Sequence, residues 1–391
     1  MASFDELLAS QSEPGANKVF GACVKVINKL GETVYSKNAG RVKFDSSEQP
    51  DEDTAYWAFS WTKLLTTIAG LQCVERGQIA LDDEVESIVP ELKDPKVISA
   101  GPDGGFLLTP ATKKITFRHL LTHQSGIAYD ARNPLLLEWR KSRGEGPLSF
   151  CGDVIKAFSI PLLFEPGESW SYGGSLDWAG VIIERLNLTT LREYMEKHIF
   201  TPLNMHSTTF NPDTKPGLQQ RIMDIPMRTP TGELIPTKCW YPSDAPTDSG
   251  SVGIVTTVGD YTKILADILR DDPITLKASS VDQMFTPQFE KKGPQAVGMM
   301  NQAYMHSDLT GGEATLGKLS FGLGGLLTLD STPILPPNTL TWGAMPCMEW
   351  FINRDKGIAG AFGTQMLPPG DKIVNKVIKE FIKEAMKYGD K

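Results

Sequence analysis

Ser60 and Lys63 stand three positions apart in the stretch AYWAFSWTKLLTTIAGLQ, residues 55–72, just ahead of an apolar run. On a helix, positions i and i+3 share a face, so a hydroxyl and an amine can meet there. Serine alone is a poor nucleophile and an exposed lysine a poor base. A lysine held beside the electropositive start of a helix could accept the serine proton. Two readings stay open. Ser60 caps the helix, since serine is a favoured N-cap, or Ser60-x-x-Lys63 is the nucleophile and base of a covalent enzyme. The two are compatible, because one hydroxyl can open a helix and also face a substrate. No other serine in the chain has a lysine three positions on.

A third group comes from FEPGESWSYGGSLDWAG, where Tyr172 precedes a Gly-Gly pair that opens a helix. A tyrosine there packs in most proteins, but near an ionised lysine its phenol is a candidate general base and acid. Other chemistries lack their residues. There is no Gly-x-Ser-x-Gly elbow, no Walker loop and no Gly-x-Gly-x-x-Gly, so no cofactor is implied. His119 and His123 in RHLLTH have metal-ligand spacing, but position 120 is Leu where a zincin has Glu, and no third ligand follows. No metal is expected. The two histidines are expected to make structural hydrogen bonds at a helix end.

The elements that would position these groups can be read from pattern. Residues 4–10 form a short helix; 18–28 and 33–40 form a hairpin across the turn KLGE. From Ser60, the residues Leu64, Leu65, Ile68, Leu71 and Val74 recur at helical spacing. Residues 80–250 are mainly helical with long Pro/Gly connections. Three strands follow, in LSFGLGGLLTL, TLTWGAMPCMEWFIN and GIAGAFGTQM, and an amphipathic helix ends the chain with Val374, Val377, Ile378, Phe381 and Ala385 on one stripe. Strands at both ends and helices between predict an α+β fold: an antiparallel β-sheet flanked by N- and C-terminal helices, plus a mostly helical inserted domain. The expected division is 1–80 with 250–391 as the sheet domain and 81–249 as the helical one, with the active site in the cleft between them.

Composition narrows the partners. A net charge of -8 without a basic stripe argues against nucleic acid or an anionic membrane. No apolar run approaches a membrane span, and MASFDELLASQSEPG has acidic residues where a signal peptide needs basic ones. Five scattered cysteines without a Cys-x-x-Cys pair are expected to be free, buried thiols. A cytoplasmic location is the expectation.

With these motifs in order, the chain resembles the serine β-lactamase and penicillin-binding-protein superfamily. Ser60-Trp-Thr-Lys63 resembles its first motif, and ITFRHLLTHQSGI is similar to a stretch of the class C-like branch. PGESWSYGGSLDWAG sits where that branch places Tyr-x-Asn, and TWGAMP where it places Lys-Thr-Gly. SVGIVTTVGDYTKIL and FGLGG add to the likeness, which spans roughly residues 18–385. Within the superfamily the chain is most similar to fungal acyltransferases and transesterases of polyketide pathways, of the lovastatin type.

The resemblance implies that Ser60 is acylated, that Lys63 is its base partner and that Tyr172 relays protons as base and acid. It also implies an oxyanion hole from the backbone N–H groups of Ser60 and Met345. Trp61, Gly174, Trp240, Trp342, Gly343 and Ala344 would then line the substrate site, with tryptophans expected to build a large apolar cleft. Three positions depart from the family pattern: Gly174 for the Asn, Trp342 for the Lys and Ala344 for the Gly. The absent lysine speaks against a β-lactam or peptide carboxylate as substrate, while a bulky Trp61 and Ala344 bear on whether Ser60 acylates. The implied partners are an ester or thioester donor, such as CoA or an acyl-carrier protein, and a hydrophobic natural-product alcohol. A plain carboxylesterase and a non-acylating acid–base enzyme or binding protein are the alternatives.

Overall fold

The computed structural model describes residues 3–102, 104–312 and 315–389, with the backbone alone at 303–305. The chain opens on helix α1 (Phe4–Gln11), whose first turn is closed by a reciprocal Ser3–Glu6 capping box. Strands β1 (Gly21–Asn28) and β2 (Thr33–Gly40) follow as a hairpin. Helix α2 (Thr62–Glu75) carries the Ser-x-x-Lys segment, α3 (Ser175–Asn187) follows the Tyr-Gly-Gly, and α4 is Val258–Leu269. The last third supplies β3 (Leu319–Phe321), β4 (Leu326–Thr328), β5 (Thr339–Ala344), β6 (Met348–Asn353), β7 (Ile358–Gly363) and helix α5 (Lys372–Ala385).

These strands form one antiparallel sheet in the order β2-β1-β7-β6-β5-β4-β3, so β1 and β7, far apart in the chain, pair inside the sheet. The expected fold class is therefore present. The strand count at the C-terminal end is corrected: two of the three expected strands are hairpins, giving five. TLTWGAMPCMEWFIN folds back through Met345–Cys347, where Pro346 cannot donate to a ladder and Cys347 has a left-handed φ of 57°. LSFGLGGLLTL folds back across its glycines.

Helix α4 lies on β1, β6 and β7 on one face. Helices α1 and α5 cover the other, where Phe4, Phe351 and Phe362 meet Phe381. The α5 stripe of Val374, Val377, Ile378, Phe381, Ile382 and Ala385 is buried, and Asp371 caps the helix by accepting from the N–H groups of Ile373 and Val374. Helix α2 is buried from Thr62 through Cys73, all round rather than on one face, because α3 and the helical residues 191–200 pack on it and Leu64 meets the turn at Gly324 between β3 and β4. The segment 81–249 carries short helices joined by long connections, with Ser175–Asn187 the longest of them, and two small hairpins, Lys96–Ala100 with Phe106–Pro110 and Ile225–Arg228 with Leu234–Thr237. One apolar core runs through both segments, joining Leu64 and Ile68 of α2, Ile182 of α3 and Leu340 of β5.

Candidate active site

The nucleophile candidate sits on a constrained turn. Ser60 lies in a single 3₁₀ turn, Phe59–Trp61, and α2 begins only at Thr62. Its side chain does not cap the helix; Trp61 occupies that position and makes no side-chain cap bond. The cap expectation is thus corrected, for a geometric reason: the hydroxyl is turned to the cleft, where two other side chains reach it. Phe59, just before it, has φ 42°, in the left-handed region that costs a non-glycine residue on the order of 1–2 kcal/mol.

Tyr172 Oη donates to Ser60 Oγ at 2.7 Å. Lys63, one turn along α2 and only 3% exposed, points its Nζ at Ser60 Oγ at 3.5 Å, at Tyr129 Oη at 3.2 Å and at the Ser251 carbonyl at 3.0 Å. Three acceptors match the three hydrogens of an ammonium. The same Nζ lies 4.6 Å from the centre of the Tyr172 ring, a cation–π contact. Trp342, on β5, donates its indole N–H to Tyr172 Oη at 3.2 Å. Where the family pattern has a lysine, this chain thus presents a neutral donor, aimed at the phenol that holds the serine.

Behind the lysine, Asp177 of α3 is fully buried and accepts from the Ser249 hydroxyl; burial pushes its carboxyl above the usual range, against the pull of the Ser249 and Ser251 hydroxyls and of Lys63. His119 makes structural hydrogen bonds, but at the start of its helix, in a reciprocal cap with Thr116, rather than at the end before SGI. His123 does not make the expected hydrogen bonds: both its ring nitrogens are buried without a partner among Trp170, Tyr172 and Phe321. Burial, and then the charge of Lys63, hold it well below the usual histidine range. It is a neutral packing group, held there by its aromatic neighbours.

Ser60 and Tyr172 open onto a cavity of about 370 Å³, lined also by Tyr129, Phe150, Trp342, Gly343, Ala344 and Met345. That size suits a small-molecule substrate. Three expected lining residues lie elsewhere. Trp61 is fully buried against Tyr261, ring centres 4.3 Å apart, because position i+1 on the turn points away from the face that holds Ser60 and Lys63. It cannot crowd the nucleophile. At Gly174 a Cβ would stand 2.2 Å from the Phe158 ring, so that ring fills the place of the family's Asn side chain. Trp240 is 44% exposed and packs against Phe59 and Phe150 outside the cavity wall. The wall is therefore built of tyrosine, phenylalanine and methionine more than tryptophan; Trp342 alone of the eight tryptophans lines it.

Sequence reasoning missed Tyr129 and the Ser251 carbonyl. Tyr129 stands two residues after the HQSGI segment that carries the resemblance, so a second tyrosine there was a usable signal. A backbone carbonyl leaves none.

The sequence profile of the family described as Beta-lactamase matches residues 3–378. The chain belongs to the beta-lactamase family. Among its relatives, the acyltransferase calJ of Penicillium decumbens is 33% identical over 98% of this chain and 97% of its own length. The lovastatin esterase of Penicillium rubens is 35% identical over 92% of each. The solved structure of simvastatin synthase (LovD) from Aspergillus terreus superposes with a TM-score of 0.86 at 27% identity, over 99% of this chain and 97% of that one. The protein is thus a serine β-lactamase-like enzyme whose relatives include acyltransferases and esterases. Among the described residues, no helix is long and apolar enough to cross a membrane.

Proposed function

We propose that this enzyme is a serine acyltransferase, which takes an acyl group from an ester or thioester onto Ser60 and passes it to a hydrophobic alcohol. The observation that carries the reading is the 2.7 Å contact between Tyr172 Oη and Ser60 Oγ, with Lys63 beneath both and an apolar cleft in front. Lys63 stays an ammonium on its three acceptors, and Tyr172 carries the proton. Negative charge that develops on its oxygen would face the ammonium under the ring and the Trp342 N–H.

In the reactive form Tyr172 has released its own proton to solvent and Ser60 donates to it; the phenolate then takes the Ser60 proton as Oγ attacks the acyl carbonyl. The oxyanion faces the backbone N–H groups of Ser60 and Met345 and collapses, expelling an alcohol or thiol that leaves with the proton from Tyr172. The second alcohol then delivers its proton to Tyr172, attacks the acyl-serine and departs as the new ester, restoring Ser60. The aromatic wall of Tyr129, Phe150 and Trp342 supports transfer over hydrolysis, since apolar side chains around the acyl-serine disfavour water there. An intracellular thioester of CoA or a carrier protein fits as donor. The alcohol belongs to the class of natural products for which the esterase and synthase relatives are named.

The esterase relative supports a second reading, in which water is the acceptor. The test is the intact mass of the protein after brief exposure to a short-chain acyl thioester, beside Ser60→Ala. One acyl adduct on the native protein and none on the variant is expected. Absence of an adduct with several donors, and with a fluorophosphonate, removes the nucleophile role. If the adduct forms but decays at the same rate with and without added alcohol, the esterase reading replaces transfer.

A further inference from the structure

The cavity does not end at the catalytic groups. Strand β4 pairs with β5 only at Leu326↔Thr341 and Leu327↔Leu340, so Trp342, Gly343 and Ala344 extend past it as an open edge. Along β5 the side chains alternate faces: Trp342 faces Tyr172, and Gly343 the opposite side. A Cβ at Gly343 would press on Leu309 Cδ2 at 3.1 Å and the Met348 carbonyl at 3.2 Å. Its absence leaves a way over the strand. Across the ladder Gly343 pairs with Glu349 of β6, whose neighbour on that face, Phe351, packs on Phe381 of α5. The cavity follows this path to Leu309, Met348, Ile378 and Glu349.

Glu349 is out of keeping with its surroundings. It is 5% exposed, lines the cavity, and its Oε1 is buried without a hydrogen-bond partner. Among the described residues it makes no ion pair. Burial, and then the charge of Asp308, push its carboxyl well above the usual range, with Lys379 and the Thr341 hydroxyl acting the other way. A carboxylic acid in that form has one O–H to give and lone pairs to receive. A buried oxygen without a partner costs free energy until something pairs with it.

The geometry points to a second recognition point in the cleft, at which Glu349 hydrogen-bonds a neutral oxygen function, a hydroxyl or a carbonyl. That function is carried on a substrate arm running from Ser60 over Gly343. This rests on reading Ser60 as the site of acyl chemistry. The passage runs over Leu309, Met348 and Ile378 and reaches Glu349 among Ser307, Asp308 and Asn375, so it selects an arm that is apolar along its length and carries oxygen at its far end. A hydroxyl suits the lone pairs, a carbonyl the O–H. The arm belongs to the acyl group or to the alcohol, and the chemistry at Glu349 is the same for both.

The test uses the Ser60→Ala protein, in which binding is read by calorimetry without turnover. Two ligand pairs are compared: alkyl esters with and without a hydroxyl or keto group in the acyl chain, and the same contrast in the alcohol portion. The oxygenated member of one pair is expected to bind about 10- to 100-fold tighter, and that pair names the arm. Adding Glu349→Leu should abolish the preference, and Glu349→Gln should retain it. Equal binding within both pairs, a measurement that needs no change at Glu349, overturns the proposal. So does a preference that survives Glu349→Leu in a protein with native circular dichroism. Loss of the nucleophile reading shows separately, as a native protein that forms no acyl adduct while these ligands still bind.

Discussion

Trp342→Phe removes the indole N–H together with part of the aromatic ring system. The phenyl ring can keep the packing the indole makes on Tyr172 and Phe321, at ring separations of 5.1 and 5.5 Å, while the N–H that reaches Tyr172 Oη at 3.2 Å is gone. Between neutral groups such a bond contributes about 0.5–1.5 kcal/mol, and to a charged group about 1.5–3 kcal/mol. The neutral part is lost in every state of the enzyme and appears as a small loss of stability. The excess, about 1–2 kcal/mol, is present only while Tyr172 carries negative charge, which on the proposed cycle is when it holds the proton position open for Ser60 or the alcohol. At 1.36 kcal/mol per decade this lowers kcat about 5- to 30-fold with KM nearly unchanged. Stopped-flow turnover of a chromogenic ester separates the acylation burst from the steady state, and both phases should slow, since the same oxygen serves both halves of the cycle. A kcat within twofold of the native value would refute the reasoning. A loss carried wholly by KM would do so too, since Trp342 would then be a wall of the cleft and no more.

Two further outcomes follow from packing and from ionisation. Restoring the family's residue with Gly174→Asn drives a side chain into the Phe158 ring and should cost about 1–3 kcal/mol in denaturant melts; pairing it with Phe158→Ala should be less damaging than the sum of the two single changes by about 1 kcal/mol or more, and simple additivity would show that the ring is not the obstacle. Glu349 holds its proton more tightly folded than unfolded, so its part of the stability is fully present below its ordinary value of 4.5 and is lost as pH rises toward the raised folded value. Glu349→Gln should therefore gain in melting temperature relative to the native protein as pH goes from 4.5 to 8, by up to about 1.4 kcal/mol per pH unit; parallel curves would mean that the carboxyl is ionised in the fold.

What the sequence made visible, and what it did not, divides along physical lines. The Ser60–Lys63 pairing was readable because one helical turn brings those positions together whatever surrounds them. The β1–β2 hairpin was readable because KLGE is turn chemistry between β-branched runs, and α5 because its apolar stripe is regular. Tyr172 needed the resemblance, since nothing local says that its phenol will meet a serine over a hundred residues earlier. The place of Trp61 was read wrongly although the same helical geometry contained the answer: adjacent positions on a turn point about 100° apart, so a residue beside the nucleophile in sequence is not beside it in space. The fold-back at Pro346 was overlooked because the apolar residues on either side suggest one continuous strand. The unpaired reach of β5, the gap at Gly343 and the isolation of Glu349 arise only from how strands are stacked, and no window of sequence holds them.

The pairing of β1 with β7 inside the sheet has a bearing on how the protein comes into being. Cys23 is matched with Gly363, so the first strands to leave the ribosome have no partner on one side until almost the last of the chain has followed. At roughly 5–20 residues per second that wait is on the order of half a minute, during which an apolar strand edge is open to other chains. A message cut short before β7 yields no smaller working enzyme; it yields a hairpin with an unclosed side. Completion of the last strand is therefore the event that makes the nascent chain safe from aggregation, and it is also the event that seats β5 and β6 beside the serine. Solubility and chemical competence arrive in the same step.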